Sequence, residues 1–239
     1  MKKLSGDSGA GRLRFWGKIR GTACDFYVAE GELEGGGDEE GAEERPADFE
    51  APGTGINKFT YWVAHSSLST WTKLPDLSPK DIGAARGIKV LFSGDLQRTI
   101  YTNPFFFGKE MHYLRAQIAR ISHSTTLCPK GLFKLTEDAP RDIEPDTPEE
   151  GDLVLPATKA MCTDGMWVHS NMGILQNCRT AHMEPEIPEG EEIEPEELMK
   201  RIEAKDPYDP RLKPIGSDSK VTVSKSTKMA PWVTKLMGD

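Results

Sequence analysis

The chain has 239 residues, 37% of them hydrophobic, and a net charge of −8; its mean hydropathy is −0.52. That length suits one domain with insertions, or two small ones. No stretch reaches the roughly 18 apolar residues of a membrane-spanning helix, and the basic start MKKLSGDSGAGRLRF lacks the apolar run of a signal peptide, so neither is expected.

The charge is unevenly distributed. Glu30–Glu50 holds 10 acidic residues and one basic, Glu137–Asp152 holds 8 and one, and Glu184–Glu197 holds 8 and none. Together these segments carry −24, so the remainder carries +16. Acidic, Pro- and Gly-bearing insertions thus interrupt a basic body. Such composition buries too little apolar surface to order itself, and the segments read as solvated loops. The sharper alternative is that they screen a basic body whose partner is acidic. The four Cys residues are far apart and form no CxxC, which fits reduced thiols in a cytosolic protein.

Met1–Arg12 is Gly- and Ser-rich, and residues 1–13 are expected to be a flexible N-terminus. Phe15–Arg20 and Ala23–Ala29 are short apolar runs around Gly21-Thr22, a spacing that predicts two antiparallel strands joined by a tight turn. The first acidic loop, residues 30–55, follows. The stretch GINKFTYWVAHSSLSTWTKL (Gly55–Leu74) then carries two of the five Trp residues. Along its strand, Lys58–His65, Phe59, Tyr61 and Val63 fall on one face and Thr60, Trp62 and Ala64 on the other. Bulk on both faces predicts an inner strand, covered either by this chain alone or on one face by a partner subunit.

Trp71–Leu77 reads as an extended connector, because Pro75 disfavours helix before it. Ser78-Pro79-Lys80-Asp81 is a helix start: Ser78 can cap, Pro79 suits the first position, and Asp81 meets the positive end of the dipole. Ile82, Ala85, Ile88 and Phe92 extend that helix to Pro79–Phe92. The run Thr102–Gly108 places Phe105, Phe106 and Phe107 in a row. Three successive side chains cannot all face one core; two of them anchor a loop, or the run forms a partner-binding patch. Met111–Phe133 fits either a helix through Leu114, Ile118 and Ile121 or a strand through Leu114, Ala116 and Ile118. Strand is the expectation for its larger part, on the β-branched tail Thr125-Thr126. Cys128–Gly131 then turns into Leu132–Leu135. After the second acidic loop (137–152), Val168, Met172 and Leu175 share a helical face. An acidic, Pro-rich tail from 183 to 239 holds a short surface helix at 195–205 and an apolar C-terminal segment around Trp232. The fold class expected is α+β: mainly antiparallel sheet with a few helices and long acidic disordered loops, with residues 14–182 as the main domain.

No catalytic, cofactor-binding or metal-ligating residue is assigned. His65, His112, His123, His169 and His182 form no HExxH and no paired spacing with Cys, and Gly53-Thr54-Gly55 precedes a strand without the Lys and Ser/Thr of a phosphate loop. Carboxylates are plentiful but lie in acidic runs that would not hold two of them at a fixed separation. Basic residues such as Arg115, Arg120, Lys130 and Lys134 accompany no nucleic-acid motif, so neither nucleic acid nor membrane is an expected partner. The candidate partner-contact residues are Phe105, Phe106, Phe107 and Trp232.

Several ordered motifs carry a resemblance. FWGKIRGTACDFYVAEG, an acidic loop, GINKFTYWV, WTKLPDLSPKDIGAARGIKVLFSG and YLRAQIARISHSTTLCPKGLF resemble, in that order and at similar spacing, the radial spoke head protein 4/6 family of ciliary and flagellar axonemes. The shorter Trp167–His169, Ile174-Leu175 and PWVTKL are similar too. Against that family the chain reads as shortened at both ends, and the stretch after Ile174-Leu175 departs from a Pro-Gln-Gly-Arg-Cys pattern. The resemblance implies a non-enzymatic structural subunit of the radial spoke head, without a cofactor, localised to the cytoskeleton of the cilium or flagellum. Implied partners are other head subunits, a family member in a homo- or heterodimer, and central pair projections. The implied role is assembly of the head and signal relay between central pair and dynein arms in motility. The alternative is a soluble acidic-loop adaptor or chaperone-like interaction module.

Overall fold

A computed structural model describes residues 10–33, 45–66, 68–136, 143–147, 155–171, 173–183, 193–207 and 211–236. In chain order its strands and helices are β1 (Ala10–Ile19), β2 (Phe26–Leu33), β3 (Thr60–Ala64), β4 (Thr72–Lys73), α1 (Pro79–Gly87), α2 (Glu110–Thr125), β5 (Leu127–Pro129), β6 (Phe133–Leu135), β7 (Ile143–Pro145), α3 (Thr158–Met161), β8 (Trp167–His169), α4 (Pro195–Lys205), β9 (Val221–Thr222) and β10 (Lys228–Met229). All the ladders are antiparallel, and the fold is α+β as expected. Two compact units divide it: Met1–Ile121 with Ile174–Asp206, and Ser122–Gly173 with Pro207–Asp239.

The first unit is built on one sheet in the order β1-β2-β3-β4. β1 starts at Ala10, inside the segment expected to fray; the nine residues before it lie outside the described ones. The turn expected at Gly21-Thr22 is instead a six-residue connection between Ile19 and Phe26. Some of its N–H groups find partners outside it: Thr22 donates to the Phe92 carbonyl (2.8 Å) and Ala23 to that of Ser93 (2.9 Å).

β3 is buried along its whole length. Tyr61 and Val63 join Phe26 and Val28 of β2 in a cluster closed by Leu114 and Ile118 of α2. On the other face Trp62 packs with Ala29 and Ala10, flanked by Leu13 and Trp71. Gly31 permits that second packing: a Cβ there would lie 2.9 Å from the Leu13 side chain and 3.2 Å from the Trp62 ring. The chain itself therefore supplies cover to both faces.

α1 starts as its sequence predicts. The Ser78 hydroxyl accepts from Asp81 N and the Asp81 carboxylate accepts from Ser78 N (3.0 Å), a reciprocal capping box. The helix ends at Gly87 rather than Phe92, and Ile88 is extended yet still enters the core. α2 corrects the strand expectation for Met111–Phe133. It is a 16-residue helix buried on two sides: Leu114 and Ile118 face the sheet, while Tyr113, Ala116 and Ala119 pack with Ile82 and Ala85 of α1.

The described end of the first acidic loop is part of this core. The Glu50 carboxylate accepts from Ile56 N (3.1 Å), Thr180 N (3.0 Å) and the Thr180 hydroxyl (2.6 Å). Gly55, at φ +48°, makes room; a Cβ would lie 2.4 Å from that carboxyl. Residues 34–44, where the loop is most acidic, lie outside the described residues, as do 137–142, 148–154 and 184–192.

In the second unit β5 pairs with β8, β6 with β7 and β9 with β10. Val168 is thus a strand residue facing Cys128, not part of the helical face expected with Met172 and Leu175; Met172 lies outside the described residues. β7 falls within the second acidic segment, where Glu144 is opposite Lys134 and bridges to it at 3.3 Å. α4 has the bounds expected for the tail helix.

Candidate functional site

The three consecutive Phe residues sit on a loop whose base is fixed. Thr99 bridges to Lys109, Glu110 N donates to Arg98 O (2.8 Å), and Met111 N donates to Leu96 O (3.1 Å). The fully buried Glu110 carboxylate, at the start of α2, accepts from Ser93 N, the Ser93 hydroxyl and Gly94 N (each 2.8 Å) and from Arg98 Nε (2.7 Å). A carboxylate carrying that many donors holds the approach to the loop against the helix.

On this base the side chains divide. Phe106 is 1% exposed and packs edge-on against Tyr113, 5.8 Å between ring centroids. Ile100 also points inward. Phe105 (52% exposed) and Phe107 (91% exposed) face solvent with their rings in perpendicular contact at 4.9 Å, and Tyr101 on the same loop is 85% exposed. Phe106 is therefore the anchor, with Ile100 as its companion. Phe105 and Phe107, joined by Tyr101, are the side chains a partner could reach. Covering one such ring recovers about 2 kcal/mol.

Trp232, the fourth sequence candidate, is half-buried in the second unit and already engaged. Its indole N–H donates to Asp218 Oδ2 (2.6 Å), which also meets His169 Nε2 (2.8 Å), and its ring lies edge-on to His169 at 6.0 Å. Thr234, two residues on, donates through N (3.1 Å) and through its hydroxyl to Asp164. Burial works against ionisation of Asp218, but the hydrogen bonds from Trp232 and His169 outweigh it and hold the carboxyl below the usual Asp range. Asp218 is a latch that fastens PWVTKL against β8.

Three further interior charges, besides Glu50, are not legible in the sequence. Glu30 accepts from Arg14 Nε (2.7 Å) and from the Tyr61 hydroxyl (2.8 Å). Arg115, 1% exposed, lies over the Tyr61 ring at 4.5 Å and donates to Ile56 O (3.0 Å). Glu110 holds the loop base. A helix reading of Met111–Phe133 would have put Arg115 beside Leu114 and Ile118 on the buried surface; the strand reading hid it. Cys128 and Cys178 are buried, and burial pushes both thiols up, away from the reactive thiolate. Among the described residues no group of three or more His, Cys, Asp or Glu side chains could hold a metal ion.

Fold and site together describe an α+β protein that fixes its buried carboxylates in structural hydrogen bonds and presents aromatic rings on a pinned loop. A family model described as radial spokehead-like protein matches residues 42–238, and the chain belongs to that family. It is 31% identical to mouse radial spoke head protein 6 homolog A, over 99% of this chain and 40% of that protein. It is 34% identical to flagellar radial spoke protein 4 of Chlamydomonas reinhardtii, over 74% and 40%, and 32% identical to human radial spoke head protein 4 homolog A, over 75% and 30%. The chain spans about two fifths or less of the curated relatives it matches.

Proposed function

We propose that this chain is a non-catalytic structural subunit of an axonemal radial spoke head and docks onto neighbouring head subunits through Tyr101, Phe105 and Phe107. Family membership supports the setting. The observation that carries the docking role is the loop itself: two Phe rings and a Tyr stand in water on a base held by the buried Glu110. A loop that needed those rings for its own fold would turn them inward, as it does Phe106 and Ile100. The carboxylates of Glu30, Glu50 and Glu110 are engaged in hydrogen bonds that hold the fold together, which suits a structural part. The partners are other spoke head subunits, with a family member in a homo- or heterodimer, and central pair projections. The role is assembly of the head and relay between central pair and dynein arms. Fractionation of ciliated cells expressing a tagged chain tests this. The tag should pellet with demembranated axonemes, and Phe105→Ser/Phe107→Ser should release it; a tag absent from axonemes contradicts the setting, and a retained double variant contradicts the loop.

A further inference from the structure

We propose that the outer edge of β1 is a docking site for an extended segment of another protein in which acidic and apolar residues alternate, joining the sheet as a fifth strand. β1 is ten residues long and, among the described residues, pairs only with β2; the opposite edge, β4, is two residues. The direction of its backbone groups follows from the register. Leu74 N donates to Tyr61 O (2.8 Å), so the Tyr61 peptide groups face β4. Tyr61 is opposite Glu30 and Glu30 opposite Arg14, so by antiparallel alternation the Glu30 groups face β1 and those of Arg14 face β2. The N–H and C=O groups of Leu13 and Phe15 therefore point away from the sheet. Irregularities between Ala10 and Arg12 and between Phe15 and Gly17 bound the regular stretch, which confines the site to Arg12–Phe15.

Side chains on that stretch state what would fit. Exposed edges are blunted by Pro, short length, charged side chains or bulges; this one has no Pro and is ten residues long, and its arginines and two irregularities restrict what can pair with it. Arg12 and Arg14 are exposed on one face, and half-buried Leu13 and exposed Phe15 lie on the other, with no acidic residue between Ala10 and Ala23. Arg14 bridges to Glu30 at 2.6 Å, whereas Arg12 makes no ion pair among the described residues. An added strand would place its residues directly opposite these, where opposite charges attract and apolar pairs pack. Acid opposite the arginines and β-branched residues opposite Leu13 and Phe15 satisfy both faces. A second copy pairing β1 to β1 would set arginine against arginine, which disfavours it. This site is on a different element from the aromatic loop and does not depend on the spoke head role.

The test uses the full chain and a blocked synthetic peptide, Thr-Glu-Val-Glu-Val-Glu-Thr, with Lys replacing each Glu in a control. Binding is read by fluorescence anisotropy and located by amide hydrogen exchange. The acidic peptide should bind and slow exchange at Leu13 and Phe15, and the Lys peptide should bind at least about tenfold more weakly. Arg12→Glu should weaken the acidic peptide by about tenfold, and Phe15→Pro, which removes an outward N–H together with the ring, should abolish binding while Phe15→Ala, which removes the ring alone, weakens it less and circular dichroism of both stays unchanged. Equal binding of both peptides, protection outside β1, or no binding to the folded chain overturns the proposal. So does concentration-dependent self-association that Arg12→Glu enhances, because the edge would then prefer a second copy. Should Phe15→Pro fail to fold, Arg12→Glu and the Lys peptide still decide it.

Discussion

The two faces of the sheet bury the same strand by different means. Under α2, Tyr61 and Val63 meet Leu114 and Ile118, and the charged pair Arg14–Glu30 and the cation over the Tyr61 ring lie on the same side. On the opposite face Trp62 packs, among the described residues, with Ala10 and Ala29 and is flanked by Leu13 and Trp71, and Phe15 is 54% exposed. A helix-backed face can carry polar groups because its geometry is held from both sides. A face backed by single rings depends on close approach, which is why Gly31 lies beneath Trp62.

Substitutions probe the difference between the two faces. Leu114→Ala opens a cavity between helix and sheet and should cost about 4 kcal/mol in chemical denaturation. Trp62→Ala should cost about 3 kcal/mol, less than a fully enclosed ring because the thin face can collapse; a loss under about 1 kcal/mol would mean that this face is not core. Tyr61→Phe leaves the ring in place but takes a donor from buried Glu30, and about 2 kcal/mol should be lost. The second unit supplies a contrast in pH. Because the Asp218 carboxyl is held below its ordinary range, its contribution is present above the usual Asp pKa of about 3.9 and is lost as pH falls through the lowered value. An acid titration of Trp232 fluorescence should show that loss, and Asp218→Asn should remove it. Smallest of all, Phe105→Ser/Phe107→Ser should change stability by no more than about 0.5 kcal/mol, because both rings already stand in water.

The same two-sidedness decides how much the sequence discloses. β2 and β3 are legible because their aromatic and β-branched residues alternate, and both faces of Lys58–His65 divide as the alternation predicts; β1 is legible only from Phe15 on, since Ala10–Leu13 carries Gly and Arg where a flexible terminus is expected. α1 is legible from its capping box. α2 is not, for a physical reason: it is buried against two clusters, so Tyr113, Leu114, Ala116, Ile118 and Ala119 spread around the helix and blur a one-face period. β8 was hidden because its partner, β5, is some 40 residues earlier and only their pairing makes Trp167–His169 a strand. At the candidate site, the impossibility of burying three consecutive Phe residues together was readable. Which one turns inward depends on Tyr113, a residue of the helix that the sequence concealed.

Hydroxyl-radical footprinting of the chain, free and within isolated axonemes, reads the proposed docking of the loop onto a spoke head partner. Oxidation at Tyr101, Phe105 and Phe107 should fall by about tenfold or more on assembly, while Leu68, exposed elsewhere in the same unit, serves as the internal reference. Unchanged oxidation of the three rings in axonemes that contain the chain would contradict it.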